Sequence, residues 1–162
     1  MSRRKLAGAV AATAMVLGVG AIADAPAWAT DNIKPFGELE RLNDSSGAST
    51  IGYTVRDLVP SSDPVAHSGQ LYEATVTVAA YGSPATPSIA QFGARAENRA
   101  LYRALTNAPG GLSGAPVPPG GSATGKLYFD VVGQPPQSVV YGDGLRDLLA
   151  WVPGPPEGGT RP

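Results

Sequence analysis

Strict alternation along residues 71–81 constrains this chain more than any other feature: Tyr72, Ala74, Val76, Val78 and Ala80 interleave with Leu71, Glu73, Thr75, Thr77 and Ala79. Successive side chains of an extended strand point to opposite faces, so the first set predicts a core-facing row and the second, with most of the polar groups, an outward one. The same period recurs at 49–58, where Ile51, Tyr53 and Val55 alternate with Thr50, Gly52, Thr54 and Arg56. At 126–132, Leu127, Phe129 and Val131 face one way and Lys126, Tyr128 and Asp130 the other. A turn signal at Ser45-Ser46-Gly47 makes 38–44 the partner of 49–58. Residues 137–141 and 145–152 flank Gly142-Asp143-Gly144, which predicts a closing hairpin with a type I′ turn. The last run also suits a short helix, although only tertiary packing would hold one of that length.

Stretches rich in Pro, Gly and Ser at 60–69, 82–87 and 107–122 read as connections, since proline cannot donate to a β ladder. Several short strands separated by turn signals predict an all-β sandwich or barrel. Tyr53, Tyr72, Phe92, Phe129 and Trp151 are its expected aromatic core. With no cysteine in the chain, packing and hydrogen bonds must hold it without disulfides, and thiol chemistry is excluded.

The amino terminus carries a second strong pattern. Arg3, Arg4 and Lys5 precede an uncharged apolar run from Leu6 to Ala23, and Ala27-Trp28-Ala29 offers a small-x-small cleavage site. This predicts a secretory signal peptide at 1–29, a domain at 30–152 and a flexible Pro/Gly-rich tail at 153–162, with no membrane insertion after cleavage. Glycines interrupt the apolar run, which argues against a retained anchor. The processed chain keeps nine Lys+Arg against twelve Asp+Glu, a net charge of −3, and so gives no electrostatic reason to expect nucleic acid.

One segment, 91–105, reads two ways. Its alanines and leucines favour a helix with Arg95, Arg99 and Arg103 along one face; the alternative is a hairpin of strands 89–95 and 100–106. A resemblance bears on the choice. Gly52-Tyr-Thr-Val-Arg-Asp-Leu58, Gln70-Leu-Tyr-Glu-Ala-Thr-Val-Thr-Val78, Thr86-Pro-Ser-Ile-Ala-Gln-Phe-Gly-Ala-Arg95, Thr124-Gly-Lys-Leu-Tyr-Phe-Asp-Val131 and Leu145-Arg-Asp-Leu-Leu-Ala-Trp151 resemble, in order, blocks of the small secreted immunogenic antigen family of mycobacteria. The resemblance implies an all-β, immunoglobulin-like antiparallel β-sandwich, exported to the medium, with no established enzymatic activity and no catalytic motif to transfer. It also implies the hairpin, with Tyr102-Arg103 on its second strand. Ala96-Glu97-Asn98-Arg99 departs from the pattern by lacking a turn glycine.

Reactive groups are sparse. His67 is the single histidine, with Asp63, Ser61, Ser62 and Ser68 on the same loop, but a triad needs groups converging from rigid elements and no G-x-S-x-G elbow is present. An exposed loop histidine is the expectation, and a zinc site there lacks ligands. Glu38/Glu40 and Asp143/Asp147 are candidate carboxylate pairs, expected at exposed positions where nothing raises a pKa. Glu73 is expected on a solvated face, bridging to an arginine such as Arg95 or Arg103. No catalytic, cofactor or metal residue is assigned. The binding candidates are Glu73, Tyr102 and Arg103, on a monomer that recognises a protein or cell-surface component. The alternative is a carrier of a small molecule or metal ion, using a cleft between the sheets or the His67 loop, and a hydrolase ranks last.

Overall fold

The computed structural model describes residues 32–43 and 46–154, so the expected signal peptide and the tail beyond Gly154 lie outside it. Within these residues the chain forms β1 Asn32–Pro35, β2 Leu39–Asn43, β3 Ser49–Pro60, β4 Gln70–Ala80, β5 Phe92–Ala96, β6 Leu101–Arg103, β7 Ser122–Val131, β8 Pro136–Gly142 and β9 Asp147–Val152. One sheet has the order β2-β3-β4-β7 and the other β1-β9-β8-β5-β6. They stack as the expected sandwich. Each alternating row becomes a face: Tyr53, Val55, Ala74, Val76, Val78, Leu127 and Phe129 are buried between the sheets.

Aromatic rings lock the centre. Tyr53 meets Phe92 edge-on at 5.0 Å between centroids, Tyr141 lies 4.9 Å from Phe92, and Trp151 stacks on Phe92 at 6.3 Å. Such pairs contribute about 0.5–1.5 kcal/mol each beyond the area they bury. The Trp151 indole N–H donates to the Glu38 carbonyl at 3.0 Å, so its one polar group is satisfied.

The disputed segment is a hairpin, although shorter than expected. Residues 89–91 form a single 3₁₀ turn and β5 begins at Phe92. Arg99 adopts a φ of 71°, the conformation that the missing glycine would have supplied. The Ala104 amide still donates to the Phe92 carbonyl of β5 at 3.0 Å, and from there the chain crosses over, the Leu105 amide donating to the Tyr128 carbonyl of the other sheet at 2.8 Å.

Three further expectations need correction. The sandwich is not wholly antiparallel, because β1 runs parallel to β9, pairing Asn32 with Leu149 and Lys34 with Trp151. The β8–β9 turn has one positive-φ residue, Gly144 at 93°, so it is not the doubly positive type I′; Asp143 stabilises it by accepting the Leu145 and Arg146 amides at 2.8 and 2.9 Å. Finally, β7 begins at Ser122 rather than Lys126. Its first half is Gly- and Ser-containing because a strap crosses it: the Leu112 amide donates to the Lys126 carbonyl at 2.7 Å, and a Cβ on Gly125 would lie 2.6 Å from Leu112 Cα.

Candidate recognition surface

The outer face of β4 and β7 carries Glu73, but not the solvated arginine bridge expected for it. Arg95 and Arg103 belong to the other sheet, and Glu73 pairs with Lys126, whose Nζ lies 3.0 Å from Oε1. The loop after β3 folds over this face. It buries Val65 against Leu71 and Tyr128, and brings Asp63 to 2.8 Å from Lys126 Nζ and 2.6 Å from the Tyr128 hydroxyl. Ser61 donates its hydroxyl to Glu73. Asp130 fixes the loop's far end by accepting the Ser68 and Gly69 amides at 2.9 and 2.8 Å.

Electrostatics follow the geometry. The Lys126 ammonium and then the Tyr128 hydroxyl hold the Asp63 carboxyl below its ordinary range. Asp63, followed by Glu73, raises the Lys126 ammonium above its own. Burial, followed by the bond to Asp63, pushes the Tyr128 phenol up to about 12. A lysine held charged and a phenol held neutral are poor nucleophiles and bases at neutral pH. This cluster pins a loop. His67 lies exposed on that loop and donates from Nδ1 to the Val65 carbonyl at 2.6 Å, while Asp63 and Ser61 are committed elsewhere, so no triad assembles among them.

Of the remaining candidates, Tyr102 is 8% exposed and donates its hydroxyl to the Gln134 carbonyl at 3.0 Å, so it packs inward rather than facing a partner. Arg103 is exposed on the outer face of the five-stranded sheet. The three binding candidates therefore do not converge. Arg103 instead shares a cleft of about 240 Å³ with Arg95, Leu101, Leu145 and Asp147. Arg95 is neutralised there by Asp147, with Nη2 2.8 and 2.7 Å from its two oxygens, whereas Arg103 has no ion pair among the described residues. Leu101 is 39% and Leu145 95% exposed. Gly93 makes room for Leu101: a Cβ on it would sit 2.6 Å from Leu101 Cδ1. The expectation that Asp147 is exposed fails, because its side chain is only 13% accessible under Arg95.

Glu40 also departs from expectation. It was read as a solvated partner of Glu38, yet it is 2% exposed, and burial raises its pKa to about 7, partly opposed by the Lys34 charge and the Ala150 amide. Register explains this: Glu40 pairs with Tyr53 and so shares its core-facing side. The spacing of Glu40 from Tyr53 across the turn was the one sequence signal available for it.

The described residues thus form a two-layer β-sandwich with one arginine–leucine face left open on its five-stranded sheet. The chain belongs to the family described as domain of unknown function DUF1942, whose model matches residues 31–151. It is 42% identical over 119 residues to immunogenic protein MPT63 of Mycobacterium tuberculosis and to MPB63 of Mycobacterium bovis, covering 69% of this chain and 74% of each relative. The crystal structure of MPT63, a secreted protein from Mycobacterium tuberculosis, superposes with a TM-score of 0.70 at 37% identity, covering 75% of this chain and 96% of that one. The activity of these relatives is not established, and among the described residues no three metal-ligating side chains gather.

Proposed function

We propose that this protein is exported and acts as a monomeric recognition module rather than an enzyme, using the outer face of β5, β6, β8 and β9. The partner is a protein or cell-surface component that offers a carboxylate beside an apolar side chain. The observation that carries this reading is Arg103, which has no ion pair among the described residues and shares a cleft with the exposed Leu101 and Leu145. Arginine is enriched where interfaces are energetically important, and neighbouring apolar groups exclude water from its contacts. Charge supports the choice of partner. The cleft and its rim hold Arg95, Arg103 and Arg146 against Asp147 and Asp143, a local excess of one positive charge on a chain whose formal net charge is −1.

Capture from cell-surface extracts followed by titration of the recovered component tests the reading. Arg103→Glu and Leu145→Ser should each weaken binding about tenfold or more, which is about 1.4 kcal/mol. Equal affinity of both variants and the unmodified protein would refute it. Export itself is tested by intact mass of the protein in the medium, which should correspond to a chain beginning at Thr30.

A further inference from the structure

We propose that the cleft between edge strands β1 and β2 is a receptor site for one primary ammonium group, with Glu40 as its counter-charge. Three polar side chains converge there by register. Asn32 and Lys34 pair with the buried Leu149 and Trp151 of β9, and Glu40 with the buried Tyr53 of β3, so all three share the side of those core residues, with Asn32 exposed at the rim, Lys34 half-buried and Glu40 buried. The cleft they border with Leu39 and Arg41 is about 420 Å³. Glu40 is 98% removed from solvent, and although the Ala150 amide lies close enough to lower its pKa, neither Oε1 nor Oε2 is held in hydrogen-bond geometry.

Buried carboxylates held this weakly are rare, because the charge has left water and gained too little in return. The neighbouring cations do not pair with it: Lys34 acts on Glu40 through its charge while its Nζ donates to the Leu39 carbonyl at 2.8 Å, and the Arg41 guanidinium stacks on Tyr81 at 4.6 Å from the ring centroid. Glu38, the other acid near it, adds charge of the same sign. A divalent metal would want several oxygen ligands, and the site offers a single carboxylate. A primary ammonium suits it better, being a compact charge with three donors.

Two sources supply that chemistry. One is the α-amino group that processing after Ala29 would free at Thr30, two residues before Asn32 and thus within about 7 Å of chain. The other is a soluble alkylamine. The first source rests on the export reading, which intact mass tests separately.

Carbon-13 titration of the Glu40 carboxyl distinguishes them. The samples are a chain beginning at Thr30 with a free amine, the same chain acetylated, and the acetylated chain with n-butylammonium chloride, with tetramethylammonium chloride as the control at equal ionic strength. A fall in the Glu40 midpoint of about one unit or more, tenfold in proton affinity, in the free-amine sample assigns the chain's own terminus. The same fall with butylammonium alone assigns an external amine. An unchanged midpoint in both arms overturns the proposal. So does an equal shift with tetramethylammonium, which has no N–H to donate.

Discussion

Glu40 gives this fold an unusual dependence on pH, measurable in a chain whose amino terminus is acetylated. Its carboxyl is 2% exposed and its pKa rises from 4.5 to about 7, chiefly through burial. Because the folded pKa lies above the unfolded one, both states hold the proton below 4.5 and the full stability is present there. Between 4.5 and about 7 the unfolded chain ionises while the folded one resists, so stability falls as pH rises and levels off above 7. At about 1.4 kcal/mol per unit, the total loss is about 3 kcal/mol, or about 10 °C in Tm for a domain of this size. Asp63, Asp130 and Asp143 act in the opposite sense. Their folded pKa values are depressed by Lys126, by the Gly69 and Ser68 amides and by the Arg146 and Leu145 amides respectively, so their contribution is lost as pH falls through the ordinary aspartate range. Together these opposing limbs place the stability maximum near about pH 5, below the neutral optimum common among proteins. Thermal melts across pH on the acetylated chain and on Glu40→Gln check the assignment. The variant should keep the acid limb and lose the decline toward neutral pH. A Tm in the unmodified sequence that is as high at about pH 8 as at about pH 5, or a decline that survives in Glu40→Gln, would refute the reasoning.

Other positions are tested more directly. Gly125→Ala forces a methyl to 2.6 Å from Leu112 Cα, a backbone atom that cannot swing aside, and should cost about 1–3 kcal/mol in urea denaturation. Asp147→Asn leaves the Arg95 charge beneath the sheet surface with a weaker acceptor and an already unpartnered Nε; the expected loss is about 2 kcal/mol, with the double change Arg95→Met/Asp147→Leu costing less than the single one. Lys126→Met removes the main cause of the low Asp63 pKa, so carbon-13 titration should show the Asp63 midpoint rising and the loop at 61–69 should exchange its amides faster.

The sequence displays what is local and hides what depends on distant partners. Alternation in β3, β4 and the second half of β7 is legible because each strand must present apolar groups on one side whatever lies beside it. The pairing of β1 with β9 is not: Asn32-Ile-Lys-Pro35 is too short for a period, and its partner lies more than a hundred residues away. The same limit governs the polar groups. Glu73 was visible as an acid on the outward row, but its partner Lys126 was not, because only the antiparallel register of β4 with β7 sets Thr75 opposite Lys126 and so puts the ammonium diagonal to Glu73. The outward row was then assumed solvated. It is partly covered, since Leu71 and Tyr128 occupy outward positions and draw the Val65 loop down over them. An apolar residue on the nominally polar side of a strand therefore signals a second, smaller core on that side. Glu40 shows the converse: a polar residue on the inward row, buried because β1 covers the edge of the sandwich. Departures from strict alternation thus mark where a loop or an added strand changes the solvent exposure that the pattern alone assigns.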